Sequence, residues 1–159
     1  MPVSIRLLRS MRLGAVLLAI GSAAACDNPV GDDDDEPNVE SAVVTISGGG
    51  SAAQTVTLRR TGGTTPSVTL PVNSSRTITV EWRRPDGSRE TRVENGEQQL
   101  EVNTSAAPGV TFVRSTSNPA FEGTFTATQA GSRTITIRLY HPEEDHADFP
   151  AQPLTLNVQ

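Results

Sequence analysis

The sequence predicts an all-β fold: an antiparallel β-sandwich of about eight or nine short strands. Three observations lead there. From Ser41 onward, Thr, Val and Ile recur in short alternating segments, and these residue types suit a pleated surface buried on one side. Turn-forming residues separate nearly all of the segments. No convincing amphipathic helix interrupts them.

Taken in order, strands are expected near Val43 to Ile46, Gln54 to Arg59, Val68 to Val72 and Thr77 to Trp82. Further ones follow near Glu97 to Val102, Val110 to Arg114, Glu122 to Thr128, Thr134 to Leu139 and Leu154 to Val158. The segment from Thr77 to Trp82 places Ile78, Val80 and Trp82 on one face and Thr77, Thr79 and Glu81 on the other. That phase assigns Trp82 to the core rather than to a ligand-stacking surface. Pro85-Asp86-Gly87 then turns the chain. Ser-Arg-Thr-Ile-Thr occurs at residues 75–79 and again at 132–136, which reads as the same strand chemistry reached twice, not as a duplicated domain. One-sided strands in this number require two sheets packed face to face, with a small barrel as the alternative.

The chain has 159 residues, enough for one domain of ordinary size after a leader and too few for two. Three segments are expected: a signal peptide over 1–25, a lipidated cysteine with a disordered acidic tether over 26–40, and the sandwich over 41–159. Arg6, Arg9 and Arg12 supply a basic start, and Leu13 to Ala24 is an apolar stretch broken by Gly14, Gly21 and Ser22. Its length is that of a signal peptide and is short for a bilayer span.

The leader ends in Ala23-Ala24-Ala25-Cys26, which resembles the lipobox of bacterial lipoproteins. Leucine is commoner than alanine at the position of Ala23, and A-x-A before Cys26 also suits ordinary signal peptidase. The resemblance implies that Cys26 is acylated, with palmitate-type chains holding the protein in membrane lipid as its first partner. Asp27 is similar to a signal for inner-membrane retention, but that sorting code does not transfer between phyla, so the inner or outer membrane of the cell envelope stays open. Cys26 is also the single cysteine of the chain, so the domain must hold together by packing, without an intramolecular disulfide.

Asp32 to Asp35 and Glu36 follow closely. Self-repulsion and proline favour an extended spacer. A calcium loop fails on spacing, because its ligands alternate and Pro37 stands where such a loop needs glycine.

From Ala107 to Ile137 the chain looks like the second half of bacterial immunoglobulin-like domains. The residues that carry this are Pro108-Gly109-Val110-Thr111, Gly123-Thr124-Phe125-Thr126-Ala127 and Ala130-Gly131-Ser132-Arg133-Thr134-Ile135-Thr136-Ile137, with Leu154-Thr155-Leu156-Asn157-Val158 as a closing strand. The resemblance implies an immunoglobulin-like sandwich and says little about activity. The first half departs from the pattern around Trp82 and the Gly/Thr-rich stretch from Gly48 to Pro66, so strand order there is open.

Nucleic acid is not an expected partner, because the net charge is -5, every basic residue is arginine and aromatics make up 4% of the chain. An enzyme is not expected either. No G-x-S-x-G elbow exists, Cys26 is taken by lipid, and Gly48-Gly49-Gly50-Ser51 has neither the lysine nor the helix of a phosphate loop. Glu90, Glu94, Glu97, Glu101 and Glu122 supply acids, but alternation puts many of them on solvent faces.

One cluster remains. His141-Pro142-Glu143-Glu144-Asp145-His146-Ala147-Asp148 is expected as a loop between the last two strands and holds both histidines of the chain. It reads as an acidic solvent loop, or as a transition-metal site for zinc or copper built from His141, Asp145, His146 and Asp148. The functional expectation is therefore a lipid-anchored, non-catalytic envelope protein whose sandwich binds or supports an envelope protein or glycan. The alternative is an envelope metal-binding protein.

Overall fold

A computed structural model of the chain describes residues 37–95, 97–116 and 121–159. The leader, Cys26 and the aspartate run lie outside the described residues.

Nine strands are described: β1 (Ser41–Ser47), β2 (Gln54–Arg59), β3 (Ser67–Leu70), β4 (Ser74–Arg83), β5 (Gln99–Asn103), β6 (Val110–Arg114), β7 (Glu122–Ala127), β8 (Gly131–His141) and β9 (His146–Val158). One sheet has the order β2-β1-β4-β7-β6, with all its pairs antiparallel. The other has the order β3-β9-β8-β5. The all-β sandwich expected from the alternation is the fold observed. One pair departs from a purely antiparallel pattern: β3 runs parallel to β9, with Ser67 opposite Thr155 and Leu70 opposite Val158.

Side-chain alternation builds the core directly. Ala42, Val44 and Ile46 of β1 and Ile78, Val80 and Trp82 of β4 are buried from one sheet; Ile135, Ile137 and Leu139 of β8 and Leu154, Leu156 and Val158 of β9 are buried from the other. All of them belong to one cluster, as expected when each sheet offers one apolar face. Trp82 lies at its centre, edge-on to Phe121 with ring centroids 6.0 Å apart and tilted on Phe149 at 5.4 Å. Burying an aromatic of this size stabilises the domain more than any aliphatic neighbour.

The repeated Ser-Arg-Thr-Ile-Thr segments occupy β4 and β8, an inner strand of each sheet. In both, isoleucine points inward: Ile78 and Ile135 are buried. The shared arginine lies against a glycine of positive φ, Arg76 against Gly49 and Arg133 against Gly131. The repetition is thus the same solution to closing one end of an inner strand.

The folded region begins earlier than Ser41. Val39 is fully buried, the Asn38 N–H donates to Glu90 Oε2 at 3.0 Å, and the Glu40 N–H donates to the Arg83 carbonyl at 2.8 Å. Residues 37–40 are therefore part of the sandwich, not of a tether. A single apolar residue among acids carries no periodicity, so the alternation of the sequence starts only at Ser41.

At the far edge, Gln54 of β2 joins the two sheets. Its Nε2 donates to the Thr69 carbonyl at 2.6 Å and its Oε1 accepts from the Thr69 N–H at 2.8 Å. The amide reproduces the hydrogen bonds of a neighbouring strand, so β3 is satisfied where no strand flanks it.

Candidate functional site

The candidate site is the tip of the β8–β9 hairpin. Its geometry differs from the loop expected between His141 and Asp148. β8 keeps its inward phase through Ile135, Ile137 and Leu139 to His141, and β9 starts at His146. Only Pro142, Glu143, Glu144 and Asp145 form the turn, with Asp145 at φ 54, the left-handed conformation that lets a tight turn close.

His141 and His146 are consequently register partners. Directly opposed residues of an antiparallel pair project to the same face, and the two imidazoles meet with ring centroids 5.4 Å apart. Strand pairing imposes the proximity that the chain spacing alone only permitted.

Sequence reasoning missed Glu144. Its Oε2 lies 3.5 Å from His141 Nδ1 and 3.3 Å from His146 Nδ1, and one ligand atom from each of the three residues falls within 4.8 Å of the others. The signal that would have found it was the turn itself: once the histidines are paired, a residue of the loop between them is the one that folds over both.

Asp145, expected in the site, is turned to the other side. Its Oδ1 accepts from the Tyr140 hydroxyl at 2.5 Å. Tyr140 is one residue out of phase with His141 and lies on the outer face, under the Arg138 guanidinium at 4.3 Å. The hydrogen bond to Asp145 raises the Tyr140 pKa, with desolvation adding to it.

Asp148 lies beside His146. Its Oδ1 lies 2.7 Å from His146 Nε2, and its side chain is 2% exposed. The β8–β9 pairing slips between Ile137 and Leu139 and again between Leu139 and Tyr140, each time leaving one extra residue on β9. These bulges allow consecutive residues Asp148 and Phe149 both to be buried, which strict alternation forbids. Arg60 donates to the Asp148 carbonyl and, at 2.7 Å, to the Val39 carbonyl, tying this segment to the first residues of the domain. Asp148 Oδ2 is buried with no hydrogen-bond partner.

The other acids are structural or exposed. Glu90 is fully buried, contrary to a solvent-facing reading. It accepts from Arg84 Nε and Nη2 at 3.0 and 2.9 Å, from the Arg92 side chain at 3.1 and 3.2 Å, and from the backbone N–H groups of Asn38 and Arg92. Burial pushes its carboxyl up, but these hydrogen bonds together outweigh it and hold the group well below the usual carboxylate range. Glu101 pairs with Arg138 across β5 and β8 at 2.7 Å. Glu97 is exposed, Glu122 is half-buried, and the Glu94 side chain lies outside the described residues. Gly48, Gly49 and Gly50, all at positive φ, form part of the β1–β2 connection. Trp82 is core, as its phase implied. Among the described residues no helix is long and apolar enough to cross a membrane.

No protein-family model matches the chain, and no curated protein matches it. Among solved structures it is similar to the crystal structure of the S-layer protein SbsC domains 4 and 5, at 18% identity and a TM-score of 0.40, over 76% of this chain and 65% of that one. The chain thus spans slightly less than two thirds of that structure's length.

Proposed function

We propose that the protein is a lipid-anchored module of a bacterial cell envelope, whose sandwich binds or supports an envelope protein or glycan without catalysing a reaction. The observation that carries the reading is the position of the single cysteine, directly after a leader ending in Ala23-Ala24-Ala25 and a short acidic run before the β-sandwich. As the single cysteine of the chain it has no second thiol to pair with, which suits it to acylation. The non-catalytic part of the reading is supported by Glu90, the most deeply buried acid among the described residues: its oxygens are occupied by Arg84, Arg92 and Asn38 and serve to hold strands and turns together.

Production of the full chain in a bacterial host, followed by intact-mass measurement of the membrane fraction, tests this. A mature chain starting at Cys26 and carrying a diacylglyceryl adduct is expected, and Cys26→Ser should release it from the membrane. An unmodified thiol on a freely soluble product overturns the reading, and fractionation of the envelope decides between inner and outer membrane.

A further inference from the structure

We propose that the tip of the β8–β9 hairpin is a binding site for a divalent transition metal of the zinc class, held by His141 Nδ1, Glu144 Oε2 and His146 Nδ1, with Asp148 as the carboxylate that orients His146. The site does not depend on lipid anchoring and goes beyond the envelope reading.

Three observations converge. The first is distance. Zinc takes nitrogen and carboxylate oxygen at about 2.0–2.2 Å in a tetrahedron, so neighbouring ligand atoms stand roughly 3.3–3.5 Å apart. Glu144 Oε2 stands 3.3 Å from one imidazole nitrogen and 3.5 Å from the other, longer than a good hydrogen bond and equal to a tetrahedral edge.

The second is donor and acceptor count. A carboxylate oxygen only accepts, so the 2.7 Å contact between Asp148 Oδ1 and His146 Nε2 makes Nε2 the donating nitrogen. With Nε2 donating, Nδ1 is the nitrogen that faces Glu144 Oε2 and is open to a metal ion. A proton on Nδ1 or a metal ion between the two atoms makes that approach favourable, and the distances above are those of the metal-bridged arrangement. A metal ion satisfies both at once, and the resulting chain of carboxylate, imidazole and metal is the arrangement by which ligating histidines are held in one tautomer.

The third is the buried charge. Asp148 Oδ2 has no hydrogen-bond partner and the side chain is almost fully enclosed. Isolated carboxylates are costly to bury. A divalent ion coordinated through His146 brings positive charge to the far side of the ring that Asp148 already touches, which offsets that cost.

Imidazole ligands select the zinc and copper class over calcium and magnesium, which prefer oxygen. Glu144 and His146 are 53% and 37% exposed, so a fourth position opens to solvent.

The test is titration of the full chain, carrying Cys26→Ser so that no thiol competes, with Zn2+ by calorimetry and with Co2+ by visible absorption. One equivalent should bind with micromolar affinity, and Co2+ should give the intense bands of a tetrahedral complex. Glu144→Gln, at an exposed turn position that leaves folding unaffected, should weaken binding by about tenfold or more. The double variant His141→Asn with His146→Asn should abolish it, and Asp148→Asn should weaken it by about 10- to 100-fold. Asp145→Ala should leave it unchanged. Absence of Zn2+ binding at micromolar metal overturns the site, as does an affinity that Glu144→Gln and the double histidine variant leave intact. Equal damage from Asp145→Ala and Glu144→Gln overturns the ligand assignment.

Discussion

Trp82 and Phe149 meet with ring centroids 5.4 Å apart although they belong to different sheets, β4 in one and β9 in the other. The pair spans the layer between the sheets, and Phe121 closes its remaining side. Trp82→Ala should cost about 3–5 kcal/mol, since the cavity would open between two faces that cannot collapse onto each other. Trp82→Phe should cost less than its lost volume implies, because it also removes a buried Nε1–H that has no acceptor. Denaturant unfolding of the two variants measures the difference, and an equal loss in both would refute the role assigned to Nε1.

Glu90 sets the acid limit of the fold. Its carboxyl lies below the usual 4.5 in the folded chain, so its contribution is complete above that pH and declines as pH falls toward the folded value. Melting temperature should therefore drop below about pH 4.5 in the wild type. Glu90→Gln should lower stability by roughly 2 kcal/mol at neutral pH, because charged hydrogen bonds are lost, and should flatten the acid dependence. A wild-type profile that the substitution leaves unchanged in slope would assign the acid limit to other groups.

Gly123 of β7 leaves room for Phe112 of β6. A Cβ at this position would lie 2.8 Å from the Val113 carbonyl oxygen and would strike the Phe112 ring. Gly123→Ala should cost about 1–3 kcal/mol through displaced backbone and ring. Adding Phe112→Leu should recover part of the loss in thermal melts, whereas purely additive losses would point to the Val113 backbone as the obstacle.

The amide of Gln54 bridges β2 and β3 with one donated and one accepted bond. Gln54→Ala should lose about 1–2 kcal/mol. Gln54→Glu should be worse, since a carboxylate cannot donate to the Thr69 carbonyl. Hydrogen exchange at the Thr69 amide separates the two losses: it should accelerate in Gln54→Ala, which removes its acceptor, and less in Gln54→Glu, which keeps one.

Much of the sandwich was legible because its strands are one-sided. β2 and β6 were placed at their observed bounds, Gln54–Arg59 and Val110–Arg114, where β-branched residues alternate between clear turn signals. β9 was read only from Leu154, because Pro150 and Pro153 argue against a strand. The prolines are tolerated where β9 pairs only with β8, before β3 joins it at Thr155. Parallel pairing of β3 with β9 leaves no local trace, since it depends on which distant strands become neighbours. The hairpin tip was half legible. The two histidines marked the place, but whether Asp145 or Glu144 faces them depends on the left-handed turn at Asp145, which sends one acid to Tyr140 and the other inward.

The parallel pairing of Ser67–Leu70 with Thr155–Val158 also dictates an order of events. The sheet containing β3 needs β9 as its bridge to β8 and β5, so as the polypeptide emerges from its N-terminal end the five-stranded layer can assemble while its cover is still incomplete. The apolar side of that layer, Trp82 included, stays open until residues near Phe149 and Leu156 arrive. Closure joins strands distant in the chain, so a chain cut before Phe149 should expose this apolar face to solvent.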